Sequence, residues 1–140
     1  MELSQKYNIK QFSAYNVNFD LRALNNTAWT YLGYELDFSS YDIVCIQELA
    51  ASTLMTQKGY ARFCQEHDLM TEKGWMSQKA ENVYRYLLNC PTYIEEHTGL
   101  EDDQIEIAIM ARAYRQKKKV IKGSTNYQFL NKFHGIARKG

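Results

Sequence analysis

Asp20 stands where the surrounding pattern asks for an apolar residue. In the stretch AYNVNFDLRALNNTAW and the residues after it, the periodicity predicts a helix over about 19–33, with Asp20, Leu24, Ala28 and Leu32 one turn apart on a single stripe. An ionised carboxylate on the inward side of a helix costs several kcal/mol or more unless a hydrogen-bond network, a charge or a metal ion neutralises it. A fold that accepts Asp20 there must bring a partner to it.

The rest of the chain limits where that partner can come from. With 140 residues, 45% hydrophobic and 14% aromatic, there is material for one packed core, and no repeat, low-complexity tract or linker divides it. Residues 1–140 are therefore expected to form a single domain. No apolar run approaches the roughly 20 residues of a membrane span, and the start MELSQKYNIK lacks a secretory h-region, so a soluble, cytoplasmic protein without a membrane partner is expected. Cys45, Cys64 and Cys90 lack paired spacing and read as reduced, packed thiols rather than a cysteine zinc site or a disulfide framework.

The formal charge of +1 hides a division. Residues 1–110 carry all 16 acids and 8 Lys/Arg, whereas residues 111–140 carry 9 Lys/Arg and no acid, with a basic tail over 123–140. Such asymmetry points to a polyanion partner, and Lys117, Lys118 and Lys119 are the densest part of the basic set. The alternative is a solvated helix end, where cations complement the macrodipole.

Further elements follow from pattern. KQFSAY (10–15) predicts a short strand leading into the Asp20 helix, which Gly33 helps to end. YDIVCIQELAASTLM (41–55) begins as a strand and ends as a helix, and GYARFCQEHDLM (59–70) contains a short helix. SQKAENVYRYLLN (77–89) is a structural helix with Ser77 as its expected N-cap and Ala80, Val83, Tyr84, Leu87 and Leu88 inward. A helix over 101–119 is expected to turn Ile105, Ala108, Ile109 and Arg112 to one side.

Asp102 repeats the problem of Asp20, lying three residues before Ile105 and seven before Ile109, and His97 stands five residues ahead of it in a loop. Two carboxylates that converge repel unless a divalent cation lies between them, and a nearby histidine can serve as general base toward an attacking water. The competing interpretation makes both acids helix-start residues favoured by the dipole, with His97 an ordinary loop residue.

Asn16-Val17-Asn18-Phe19-Asp20, followed by Leu24, resembles the second motif of the DEDDh 3′–5′ exonucleases, the superfamily of the epsilon proofreading subunit of DNA polymerase III and of ribonuclease T. His97-Thr98-Gly99-Leu100-Glu101-Asp102 resembles their third motif; TEKGWMSQKAENVYRYLLN and EEHTGLEDDQIEIAIMARAYRQKKK resemble phage or prophage members of the group, so the similarity spans roughly residues 10–120. Tyr15 stands where the family often has histidine. The resemblance implies an α/β, ribonuclease H-like fold. It also implies hydrolysis of the terminal phosphodiester at a single-stranded 3′ end of DNA or RNA, with two Mg²⁺ or Mn²⁺ ions. Asp20 and Asp102 would be metal ligands, His97 the catalytic base, and Asn16 and Phe19 part of the surroundings of the terminal nucleotide.

The family's first motif, Asp-x-Glu, occurs nowhere in the chain. The expectation is accordingly the C-terminal part of an exonuclease domain, N-terminally truncated, mainly α-helical with few strands, and inactive alone. Its missing acids would come from an N-terminal segment, from a second copy in a homo-oligomer, or from positions such as Glu96 or Glu106. The alternatives are a non-catalytic remnant that binds nucleic acid or a protein partner, and a helical interaction protein.

Overall fold

The computed structural model describes residues 5–116. Their architecture is mixed α/β and mostly helical, with five α-helices and a two-stranded parallel sheet. Strand β1 (Gln11–Ala14) leads into α1 (Val17–Leu32), which returns the chain to β2 (Asp42–Cys45) beside β1, with Gln11 opposite Asp42 and Ala14 opposite Cys45. This is a β-α-β unit, the crossover that parallel pairing requires. Gly33 ends α1 as expected, in the left-handed region at φ 73°, and its N–H caps the carbonyls of Ala28 and Trp29.

The strand-to-helix switch left open in 41–55 falls between Cys45 and Ile46, where β2 passes directly into α2 (Ile46–Ser52). The end of β1 is stitched to this corner: the backbone carbonyl of Tyr15 accepts from the Gln47 N–H at 2.9 Å and from the Cys45 thiol at 3.4 Å. A 3₁₀ turn (Leu54–Thr56), α3 (Lys58–Glu66), α4 (Ala80–Leu88) and α5 (Gly99–Tyr114) complete the described chain.

Short α2 is the centre of the core. Leu49, Ala50 and Ala51 have no exposed surface, and around them pack Val44, Leu54, Met55, Tyr60, Cys64, Met76 and Val83 with the α5 stripe Ile105, Ile109 and Ala113. Cys45 and Cys64 are free and buried, and Cys90 is free and partly exposed. No helix is long and apolar enough to cross a membrane, among the described residues.

Several sequence expectations change at this level. Ser77 does not cap α4: the cap position is Lys79, and the Ser77 hydroxyl accepts instead from the Lys79 N–H at 3.3 Å and from the buried Asn82 side chain at 2.7 Å. Leu88 is exposed at the end of α4, whereas Val83 is fully buried. α5 starts two residues earlier than expected and ends at Tyr114, so the buried stripe is 105, 109 and 113 and Arg112 is exposed. Lys117, Lys118 and Lys119, and the basic tail 123–140, lie outside the described residues.

The larger correction concerns α1. Of the stripe Asp20, Leu24, Ala28 and Leu32, only Ala28 is buried; Leu24 is 46% and Leu32 58% exposed, and Asp20 is exposed as well. Two strands offer a narrow surface, and α1 covers it through Val17 and Ala28. Phe19, Trp29 and Tyr31 remain exposed, and β1 pairs only with β2 among the described residues.

Candidate functional site

Asp20 lies in the first turn of α1, immediately beyond the carboxyl end of β1, and its N–H reaches back to the Asn16 carbonyl at 3.2 Å. Ligands of open parallel sheets collect at this end of the strands. Here a cavity of about 330 Å³ opens between Ser13 and Ala14 of β1, Asp20 and Leu24 of α1, and Asp102, Asp103 and Glu106 of α5. The two acids singled out by the sequence therefore face one space.

Packing around the cavity partly desolvates these groups. Burial pushes the Asp20 carboxyl above its ordinary pKa, although the residue is exposed along its helix. Burial likewise raises Glu106, the charges of Asp20, Asp103 and Asp102 raise it further, and the Tyr15 backbone N–H opposes the shift. Oδ1 of Asp102 is buried without a hydrogen-bond partner among the described residues. An acceptor kept dry and unpaired costs about 1–3 kcal/mol, a cost usually met by a donor, a proton or a cation.

His97 does not line this cavity. It joins the site through Asp102: Glu95, His97 and Asp102 each present a ligand atom, all within 4.8 Å of one another, and His97 Nδ1 lies 3.8 Å from Glu95 Oε1. The loop that carries them is fastened at several points. Glu81 of α4 accepts from the Glu95 N–H at 3.0 Å and holds Arg85 at 3.2 Å, while Arg85 donates to the Tyr93 carbonyl at 2.6 Å. Glu101 of α5 accepts from the Tyr93 hydroxyl and from the Glu96 N–H at 3.0 Å. The Thr98 hydroxyl caps α5 by accepting from the Glu101 N–H at 3.2 Å, which completes a Thr-x-x-Glu start. His97 takes φ 58°, a left-handed conformation that residues other than glycine adopt mainly where neighbours enforce it.

Removing the Thr98 cap should loosen this junction. Thr98→Ala is expected to cost about 1 kcal/mol of stability, read as a lower midpoint in urea denaturation with an unchanged slope.

The Glu95 carboxyl is pushed from its ordinary 4.5 to about 7, first by the hydrogen bond it shares with Asp102, then by burial and by the Asp102 charge, with His97 pulling it down. The folded state therefore holds this proton more tightly than the unfolded chain. Its contribution to stability is complete at or below pH 4.5 and is lost as pH rises through about 7. Thermal melts across that window are expected to fall more steeply with rising pH for the wild type than for Glu95→Gln.

Asn16 is the N-cap residue of α1 but lines a different cavity, with Gln47, Ser77 and Gln78, and Phe19 is 59% exposed and lines neither. Three further acids belong to these two groups. Glu106 is one turn beyond Asp102, a spacing that places both on one helix face, and was named only as a stand-in for missing acids. Asp103 carried no signal apart from being adjacent to Asp102. Glu95 is brought to Asp102 by the fastened loop, which no periodicity encodes. Glu96 is exposed and belongs to neither group. Comparison with protein-family models, with curated proteins and with solved structures finds no match to this chain.

Proposed function

We propose that the chain carries the carboxylate half of a metal-dependent 3′–5′ exonuclease site, on a ribonuclease H-like fold whose sheet continues beyond the open edge of β1. The observation that carries this is the convergence of Asp20 and Asp102, from helices far apart in sequence, on one cavity at the carboxyl end of a parallel strand. With Glu106 and Asp103, the cavity offers an all-oxygen donor set of the kind that suits Mg²⁺ or Mn²⁺. Asp20, Asp102 and Glu106 would hold the ion, whose charge would offset the upward pKa shifts of Asp20, caused by burial, and of Glu106, caused by burial and then by the neighbouring acids. A bound ion supplies Lewis acidity toward a phosphoryl oxygen.

The chain's own side chains have separable tasks. His97, largely exposed and within 4.8 Å of an Asp102 oxygen, would take a proton from the attacking water. Asp102 connects base and cavity. The substrate proposed is a single-stranded 3′ end of DNA or RNA, and Lys117, Lys118 and Lys119 follow closely on α5 as candidates for its phosphates.

The test is digestion of a 3′-labelled single-stranded oligonucleotide with Mn²⁺, with Asp102→Ala as the comparison. Release of 3′ nucleotides by the wild type alone supports the assignment. No release from either, together with DNA binding that weakens with salt and on changing Lys117–Lys119 to alanine, would replace it with a non-catalytic nucleic-acid-binding remnant.

A further inference from the structure

The Glu95, His97 and Asp102 cluster has a different chemistry from the cavity beside it. Its donor set mixes one imidazole nitrogen with two carboxylates, and imidazole favours Zn²⁺ and its first-row neighbours, whereas Mg²⁺ prefers oxygen alone. The geometry is also close to what such an ion needs. Zinc bonds of about 2.0–2.2 Å place tetrahedral ligand atoms about 3.4 Å apart. His97 Nδ1 is already 3.8 Å from Glu95 Oε1, and all three ligand atoms lie within 4.8 Å.

Two observations set this cluster apart from acids that merely share a surface. Asp102 presents a buried carboxylate oxygen without a hydrogen-bond partner among the described residues. The Glu95 backbone is fixed by Glu81, and His97 holds a left-handed backbone conformation beside the Thr98 cap. The side chain of His97 is 76% exposed and that of Glu95 only 13%, so the imidazole is the arm free to close on an ion seated between two carboxylates that are less free to move.

We propose that Glu95, His97 and Asp102 form a binding site for a single zinc ion. Three protein ligands leave a fourth position for water. The site shares Asp102 with the cavity and takes His97 away from proton transfer, so zinc bound there inhibits hydrolysis; this consequence, unlike the binding itself, rests on the function proposed above.

The direct test is calorimetric titration of the full chain with zinc chloride in excess Mg²⁺, for the wild type, Glu95→Gln, His97→Ala and, as a control, His67→Ala. Glu95→Gln preserves shape and His97 is exposed, so both variants are expected to keep the fold, which far-ultraviolet circular dichroism checks before titration. One zinc per chain is expected, with affinity reduced at least about 10-fold by Glu95→Gln and by His97→Ala and unchanged by His67→Ala. No binding by the wild type up to about 1 mM zinc, or equal affinity in all four proteins, would overturn the site. Dependence on His67 alone would overturn it as well. Zinc binding with the expected pattern in a chain that digests no oligonucleotide would sustain the site and remove only the inhibitory role.

Discussion

Asp102→Asn is expected to raise the melting temperature of the chain and, where the exonuclease function proposed above holds, to lower Mn²⁺-dependent release of 3′ nucleotides at least about 100-fold. Both effects follow from one carboxylate. Asp102 lines the cavity with Asp20, Asp103 and Glu106 and shares a hydrogen bond with Glu95, and its Oδ1 is buried without a partner among the described residues. The amide keeps the shape, removes a negative charge from a crowded set and gives Glu95 a donor. Relief of like-charge repulsion within such a set is worth about 1–2 kcal/mol, or a few degrees in a domain of this size. On the proposed function the activity loss has the opposite origin, since a ligand to the ion and the link to His97 would disappear together. Differential scanning fluorimetry beside the oligonucleotide assay checks both, and a variant that melts lower yet digests normally would refute the account. Sites selected for chemistry commonly gain stability when that chemistry is removed.

Leu49→Ala should have the largest effect on folding. Leu49 has no exposed surface and sits on α2, the helix on which β2, α5 and the 3₁₀ turn all converge. A leucine cut to alanine in a packed interior loses about 2–5 kcal/mol, at the upper end where neighbours cannot collapse into the space. Here the neighbours are held by separate elements, with Ile105 and Ile109 fixed on a 16-residue helix, so about 3–4 kcal/mol is expected. That is a large part of the roughly 5–15 kcal/mol that holds a domain together. Urea denaturation followed by far-ultraviolet circular dichroism would register it as a lower midpoint, whereas a loss under about 1 kcal/mol would mean that α2 is not the centre of the core.

The elements legible in the sequence were those with strong local chemistry. The strand before α1, Gly33 at its end, the helical character of 80–88 and the inward placement of Ile105 and Ile109 follow from periodicity and capping. Where the outcome depended on what packs opposite, local pattern misled. The Leu24 and Leu32 stripe reads as buried, but burial requires an opposing surface, and two strands supply only enough for Val17 and Ala28. Ser77 reads as an N-cap because of its type and position, yet its hydroxyl is taken by Asn82, a residue buried for reasons of tertiary contact. For the site, spacing brought forward Asp20, His97 and Asp102, and the same helical spacing could have brought Glu106 into the group. Glu95 had no such route, because its place beside Asp102 is set by Glu81, Arg85 and Glu101 acting across a loop.

The narrow seat of α1 has a consequence for motion. Only Val17 and Ala28 of this 16-residue helix are buried, whereas α2 is buried along almost its whole length. Cooperative units that bury little open at lower free energy than the global transition, so the backbone amides of α1 should exchange with deuterium sooner than those of α2 and α5. Asp20 travels with the first of these units and Asp102 with the last. The distance between them should then fluctuate with the opening of α1, and a ligand that bridges the two carboxylates should slow exchange in α1 toward that of α5.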